Sequence, residues 1–154
     1  MTLVVDVPGR GRLELAYLVL DLNGTLADRG LLLAGVGPRL ARLRERFELH
    51  VLSADTFGTL APVAAELGLA ARTVGSGEEK ARVVAELGPE RCAAIGNGAN
   101  DAAMLAASAL GIAVLGREGA AGAALATADV VCLSVLDALD LLLDERALAA
   151  TLRP

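Results

Sequence analysis

Three polar segments in this chain stand just after apolar runs, and a fourth polar group opens a helical pattern. Asp21 closes LVLD (18–21) and is followed by the turn residues Asn23, Gly24 and Thr25; Ser53 closes HVLS (50–53) and precedes Ala54. Asp101 ends GNGAND (96–101), which follows the apolar CAAI (92–95), and Lys80 falls in the first turn of the helical pattern GEEKARVV (77–84). A carboxylate nucleophile, a hydroxyl donor, a fixed cation and a second carboxylate are the groups that phosphoryl transfer through an aspartyl phosphate requires. A divalent cation shared between the two carboxylates would relieve the repulsion between an anionic nucleophile and an anionic phosphate. Gly24 and Thr25 would let the loop wrap close to the phosphate, where successive backbone N–H groups form an anion-binding concavity. Each group alone has a simpler explanation. A strand-end aspartate forms turns, Ser53 and Asp55 can cap the next helix, Lys80 alone reads as a solvated helix lysine, and GNGAND alone as a glycine-rich turn.

The elements that must position these groups are marked by strand-length apolar runs alternating with helical patterns. LVVDV (3–7) and LELAYLVLD (13–21) flank the turn PGRGR and predict a hairpin that leads into a central strand. Further strands are expected at 49–53, 71–75, 92–96, 111–115 and 128–133, and their near-continuous apolar character implies burial on both faces. Helix punctuation separates them. Pro38 sits at the first helical position of GVGPRLARLRERF, Ser76 and Glu79 form a capping box in a helix that stops at Gly88-Pro89, and Ser134 with Asp137 repeats the device. The expected fold class is α/β, a Rossmann-like parallel sheet with helices on both faces plus an N-terminal β-hairpin. In such sheets ligands bind outside the carboxyl ends of the strands, where Asp21, Ser53 and GNGAND all lie.

At 154 residues the chain is expected to form one domain over 1–154. Hydrophobic residues make up 55% and aromatics only 2%, so the core must be built from small aliphatic side chains, which suit closely packed helix-on-sheet layers. A net charge of −5 gives no electrostatic reason to bind nucleic acid or an anionic membrane surface, and neither is expected as a partner. The longest apolar stretch (102–115) is shorter than a membrane span, and no secretory signal opens the sequence, so a cytoplasmic protein is expected. Cys92 and Cys132 lie in apolar runs and read as small buried thiols of a reducing compartment. His50, mid-strand, reads as a buried or subunit-facing imidazole.

The segments DLNGTLAD, VLSADT, GEEKARVV and GNGANDAAML, in this order, resemble the haloacid dehalogenase (HAD) superfamily of aspartate-nucleophile phosphohydrolases. The likeness is nearest to the phosphorylation domain of P-type ATPases, with its D-K-T-G-T and G-D-G-x-N-D loops, and to small soluble P-type-ATPase-like proteins. With no membrane span, a pump is not expected. The resemblance implies a HAD-type sheet and an Mg²⁺ cofactor. It implies Asp21 as nucleophile and metal ligand, Asn23 as a further metal ligand through its backbone carbonyl, and Ser53 as a donor to the phosphoryl group. Lys80 would neutralise that group, Asn97 and Asp101 would complete the metal site, and Gly24, Thr25, Ala54 and Asn100 would shape the phosphate pocket.

Two positions depart from the family pattern. Asn23 stands where most phosphatases of the superfamily have the aspartate that protonates the leaving group and later activates water, and an amide can do neither. Asn97 stands where the first metal aspartate is usual, which removes one formal charge and weakens Mg²⁺. A slow Mg²⁺-dependent phosphatase or phosphotransferase is expected; the alternative is a catalytically silent phosphate-binding or regulatory module. The segments 28–47 and 57–79 are too short for a cap domain. An open site implies either a large substrate or closure by a neighbouring subunit; the expected partners are a small phosphorylated substrate or a phosphorylated macromolecule, and further copies of the chain in a homo-oligomer, dimer or tetramer.

Overall fold

A computed structural model describes all residues from Met1 to Pro154. Six strands form one parallel sheet: β3 (Tyr17–Asp21), β6 (Glu48–Ser53), β7 (Ala70–Thr73), β8 (Cys92–Gly96), β9 (Leu110–Val114) and β10 (Val130–Cys132). Their spatial order is β10-β9-β8-β3-β6-β7. The chain runs outward from β3 through β6 to β7, then returns to the other side of β3 and runs out through β8, β9 and β10. Strand order therefore reverses between β3 and β8, and a crevice opens at the carboxyl ends of the strands there. Asp21 is the last residue of β3, Ser53 the last of β6, and Asn97 the first residue after β8.

The pleat divides the core in two. Leu18, Leu20, Val51, Ala93, Ile95 and Ile112 face α1 (Val36–Leu43), α2 (Leu60–Leu67), α6 (Val135–Leu143) and α7 (Glu145–Leu152). The intervening Val19, Leu52, Ala94 and Ala113 face α3 (Gly77–Leu87), α4 (Ala102–Ala107) and α5 (Gly122–Thr127). Alternation of this kind on a strand buried on both sides is what a helix-covered parallel sheet demands.

The N-terminal hairpin pairs β1 (Leu3–Val7) with β2 (Gly11–Leu15) and packs Leu3, Val5 and Val7 in the same core as Leu148 and Leu152 of α7. Its turn is tied to the main sheet by Arg10, which donates to Asp129 at 3.0 Å, while Asp129 accepts from the Gly111 N–H at 2.8 Å. The run 13–21, expected as one strand, divides at Ala16. Its first half belongs to the two-stranded ribbon and its second half enters the sheet between β6 and β8, so the backbone changes partners there.

Burial on both faces holds for β3, β8 and β9 but not at the edges. Every residue of β7 is exposed, and Val131 of β10 is too, because an edge strand has a neighbour on one side and no helix over both faces. For the same reason Cys132 is only half-buried, unlike Cys92. Pro38 is the third residue of α1 rather than its first, and that helix ends at Leu43 rather than running to Phe47. The Ser76 hydroxyl accepts from the Glu79 N–H as expected, but the Glu79 carboxylate reaches one residue further back, to the Gly75 N–H at 2.7 Å. Between Asp28 and Phe47 the chain holds only the short pair β4 (Ala27–Asp28) and β5 (Leu31–Leu32) and α1, and no cap domain is present. No helix is long and apolar enough to cross a membrane.

Candidate active site

Asp21 leaves β3 at its carboxyl end with its side chain almost wholly buried, and the next residues turn back sharply. Gly24 makes that turn at φ +80, and a Cβ there would lie 2.6 Å from both the Asn97 amide nitrogen and Glu118 Oε2, so only glycine fits. The Thr25 hydroxyl, also buried, donates to Asp21 Oδ2 at 3.2 Å.

Lys80 is the unusual member of the set. Its side chain is fully buried, and its Nζ donates to Asp21 Oδ1 and to Asp101 Oδ1, both at 2.7 Å. A buried ammonium survives only when paired, and here one cation serves two carboxylates. The cluster thus carries one excess negative charge. The Asp21 carboxyl is pushed up from 3.8 to about 6, by burial first and by the charge of Asp101 second, against the opposing pull of Lys80 and Thr25. Burial acts to lower the Lys80 ammonium, but its two carboxylate partners outweigh it and hold it above its ordinary range.

Asp101 is wholly buried and turned into its own loop. Its Oδ2 accepts from the Asn97 and Gly98 N–H groups at 3.0 and 2.9 Å, and its Oδ1 is occupied by Lys80. The fit is close enough that a Cβ on Gly96 would lie 2.5 Å from the Asp101 carboxyl carbon. Asp101 therefore shapes the GNGAND loop and anchors Lys80, and it does not line the pocket. Asn97 is half engaged: its Nδ2 donates to the Gly119 carbonyl at 3.1 Å, and its Oδ1 stands 3.4 Å from the Thr25 hydroxyl, whose single proton is shared with the nearer Asp21.

The pocket at the strand ends, about 180 Å³, is lined by Asp21, Asn23, Ser53, Ala54, Asn97 and Asn100, all expected from the sequence. Ser53 accepts from the Asp55 N–H at 2.9 Å, which leaves its hydroxyl proton free to be donated elsewhere, and Asp55 in turn accepts from the Leu60 N–H at the start of α2. Gly98, Thr56 and Glu118 complete the wall; Gly98 and Thr56 lie within GNGAND and VLSADT without an expected role of their own, and Glu118 stands outside every motif read from the sequence. The signal for Glu118 was present in GREG, directly after the β9 run; the strand-end rule applied to that strand as to the others would have found it. His50 is not among the lining residues; it stands beside Tyr17, ring centroids 6.1 Å apart.

The donor set is compatible with a divalent cation such as Mg²⁺ bound together with a phosphate. Asn23 Oδ1 is buried with no hydrogen-bond partner, and the Asp21 carboxylate shares its pocket. No group of three histidine, cysteine or acidic side chains is placed to hold a metal. Magnesium typically keeps several waters and takes one or two carboxylates plus phosphate oxygens, so a complete protein cage is not required.

The family model described as haloacid dehalogenase-like hydrolase matches residues 7–109. An uncharacterized protein of Methanocaldococcus jannaschii, MJ0073, is 44% identical over 78 residues, which cover 48% of this chain and 84% of that one. Among solved structures, 3-deoxy-D-manno-octulosonate 8-phosphate phosphatase from Moraxella catarrhalis, in complex with magnesium, phosphate and a KDO molecule, superposes with a TM-score of 0.67. It shares 18% identity, over 90% of this chain and 94% of that chain. A zinc-transporting PIB-type ATPase gives a TM-score of 0.66 and 28% identity, over 79% of this chain and 20% of the ATPase.

Proposed function

This chain belongs to the haloacid dehalogenase-like hydrolase family, and on that footing we propose that it is a phosphohydrolase acting through an aspartyl phosphate on Asp21. The observation that carries the reading is the Asp21 carboxylate itself, held at the end of the central strand by a wholly buried lysine and facing a polar pocket with the Ser53 hydroxyl. In the first half-reaction an Asp21 oxygen attacks phosphorus and the bond to the leaving-group oxygen breaks. Ser53 donates to a phosphoryl oxygen, and Lys80 offsets the negative charge that gathers as the two anions meet. Asp21, Asn23 and Asn97 are the residues that would hold Mg²⁺, which supplies further positive charge to the phosphate. A phosphatase or a phosphotransferase acting on a phosphorylated small molecule or macromolecule fits this chemistry. The alternative, a silent phosphate-binding module, draws on Asn23 and Asn97, whose amides bring no charge and no titratable proton to the pocket.

The test is hydrolysis of p-nitrophenyl phosphate with and without Mg²⁺. Nitrophenol release that requires Mg²⁺ and is lost in Asp21→Asn is expected. A wild type that neither releases nitrophenol nor traps beryllofluoride would favour the silent module instead.

Asn23→Asp is expected to raise turnover about 10-fold or more, since general acid–base help is typically worth about 10²–10⁴-fold. The gain should be larger for an alkyl phosphate, whose leaving group needs a proton, than for p-nitrophenyl phosphate, whose leaving group does not. Equal rates in Asn23→Asp and wild type on both substrates would show that the amide is not the limitation.

A further inference from the structure

The two asparagines at 23 and 97 leave the pocket short of a carboxylate that can take a proton from water, yet the pocket wall contains one. Glu118, in the turn between β9 and α5, lines the same cavity as Asp21, Asn23 and Ser53. Its Oε2 is close enough to Gly24 that a Cβ there would meet it at 2.6 Å, and Gly24 is only three residues beyond the nucleophile. The turn that carries Glu118 is fixed from both ends. The Gly119 N–H donates to the Gly116 carbonyl at 3.0 Å, and the Ala121 N–H donates to the Asn97 carbonyl at 2.8 Å. The Asn97 side chain adds a third tie by donating to the Gly119 carbonyl. An aspartate at 97 has no N–H to donate and would set a carboxylate against that carbonyl. The amide that removes a charge from position 97 thus holds the loop that brings one at position 118.

We propose that Glu118 is the general base that hydrolyses the aspartyl phosphate, an assignment that rests on the phosphohydrolase reading above. In this second half-reaction the oxygen of a water attacks phosphorus in line with the Asp21–phosphorus bond. A new P–O bond forms, the P–Oδ bond to Asp21 breaks, and its electron pair returns to the Asp21 carboxylate. The water proton passes to Glu118, whose exposed side chain then gives it up to solvent. No base is needed in the first half-reaction, where the attacking group is already an anion. Glu118 therefore governs how long the phosphorylated enzyme lasts and not how fast it forms.

Glu118→Gln keeps the side-chain shape and removes the basic oxygen. With p-nitrophenyl phosphate in a rapid-quench experiment, the first turnover should release nitrophenol at the wild-type rate, now as a burst, while kcat falls about 10²-fold or more. Acid-quenched protein should carry close to one phosphate per chain, against a small fraction in wild type. Glu66→Gln, which removes a charge from the exposed side of α2, should match wild type throughout. An active wild type with an unchanged Glu118→Gln variant would overturn the assignment while leaving the phosphohydrolase reading standing, and so would a variant whose burst and steady state slow equally. A wild type that neither releases nitrophenol nor takes up phosphate would overturn both.

Discussion

Lys80→Met is expected to abolish phosphate chemistry and to cost about 3–5 kcal/mol of folding stability at pH 8, the range found when one partner of a buried ion pair is removed. Methionine fills a similar volume, so the loss is electrostatic and not a cavity effect. With the ammonium gone, Asp21 and Asp101 face each other in a site largely closed to water, with the Thr25 hydroxyl and the loop N–H groups as the remaining donors. Acid relieves that repulsion by protonating one of the two carboxyls, so the cost should shrink between pH 8 and pH 5. Urea unfolding of wild type and variant at both values provides the check. An equal cost at both would mean that the two carboxylates do not depend on Lys80 for neutralisation.

Asp21→Asn is expected to have the opposite effect on the fold while removing the phosphoryl acceptor. Burial and the neighbouring Asp101 raise the Asp21 carboxyl to about 6, so the folded protein holds this group's proton more tightly than the unfolded chain does. The stability contributed by the protonated form is complete below 3.8 and is lost as the pH passes about 6. Above that pH the ionised group burdens the fold. An amide there, which stays neutral, should stabilise the protein by on the order of 3 kcal/mol, the rise from 3.8 to about 6 taken at about 1.4 kcal/mol per pKa unit. For a domain of this size that raises Tm by about 6–12 °C at pH 8. Near pH 4 the difference should vanish. Thermal melts at the two values test the sign, and a variant less stable than wild type at pH 8 would mean that Asp21 anchors the fold and does not strain it. The same titration predicts that wild-type turnover rises as the pH is brought through about 6, because only the ionised carboxylate attacks phosphorus.

Placed together, the two variants describe a site whose charges are balanced for reaction and not for stability. One lysine holds two carboxylates, and the uncompensated negative charge is what a cation accompanying the phosphate would meet. On the proposed reading, stability is given up at Asp21 for a buried, aligned nucleophile, a common exchange at reactive sites.

The kind of each element and the residues at its ends were legible in the chain alone. Apolar runs of strand length and helix punctuation are local signals, and a polar residue closing an apolar strand is one too; Asp21, Ser53 and Asn97 could be found because each directly ends or follows such a run. The order of these segments was enough to place the chain near its family. What those residues do to one another was decided by tertiary packing. The direction of the Asp101 carboxylate depends on loop N–H groups four and three residues behind it and on a lysine from another helix. Exposure at β7 and β10 follows from their places at the sheet edges, a property of strand order that no run of residues encodes. Glu118 follows an apolar strand in a glycine-rich turn, which marks its place at a strand end, but its distance along the chain from Asp21 hides that the two share one pocket. It lines the same pocket as Asp21 because β8 and β9 return beside β3 and carry their following loops to the same rim.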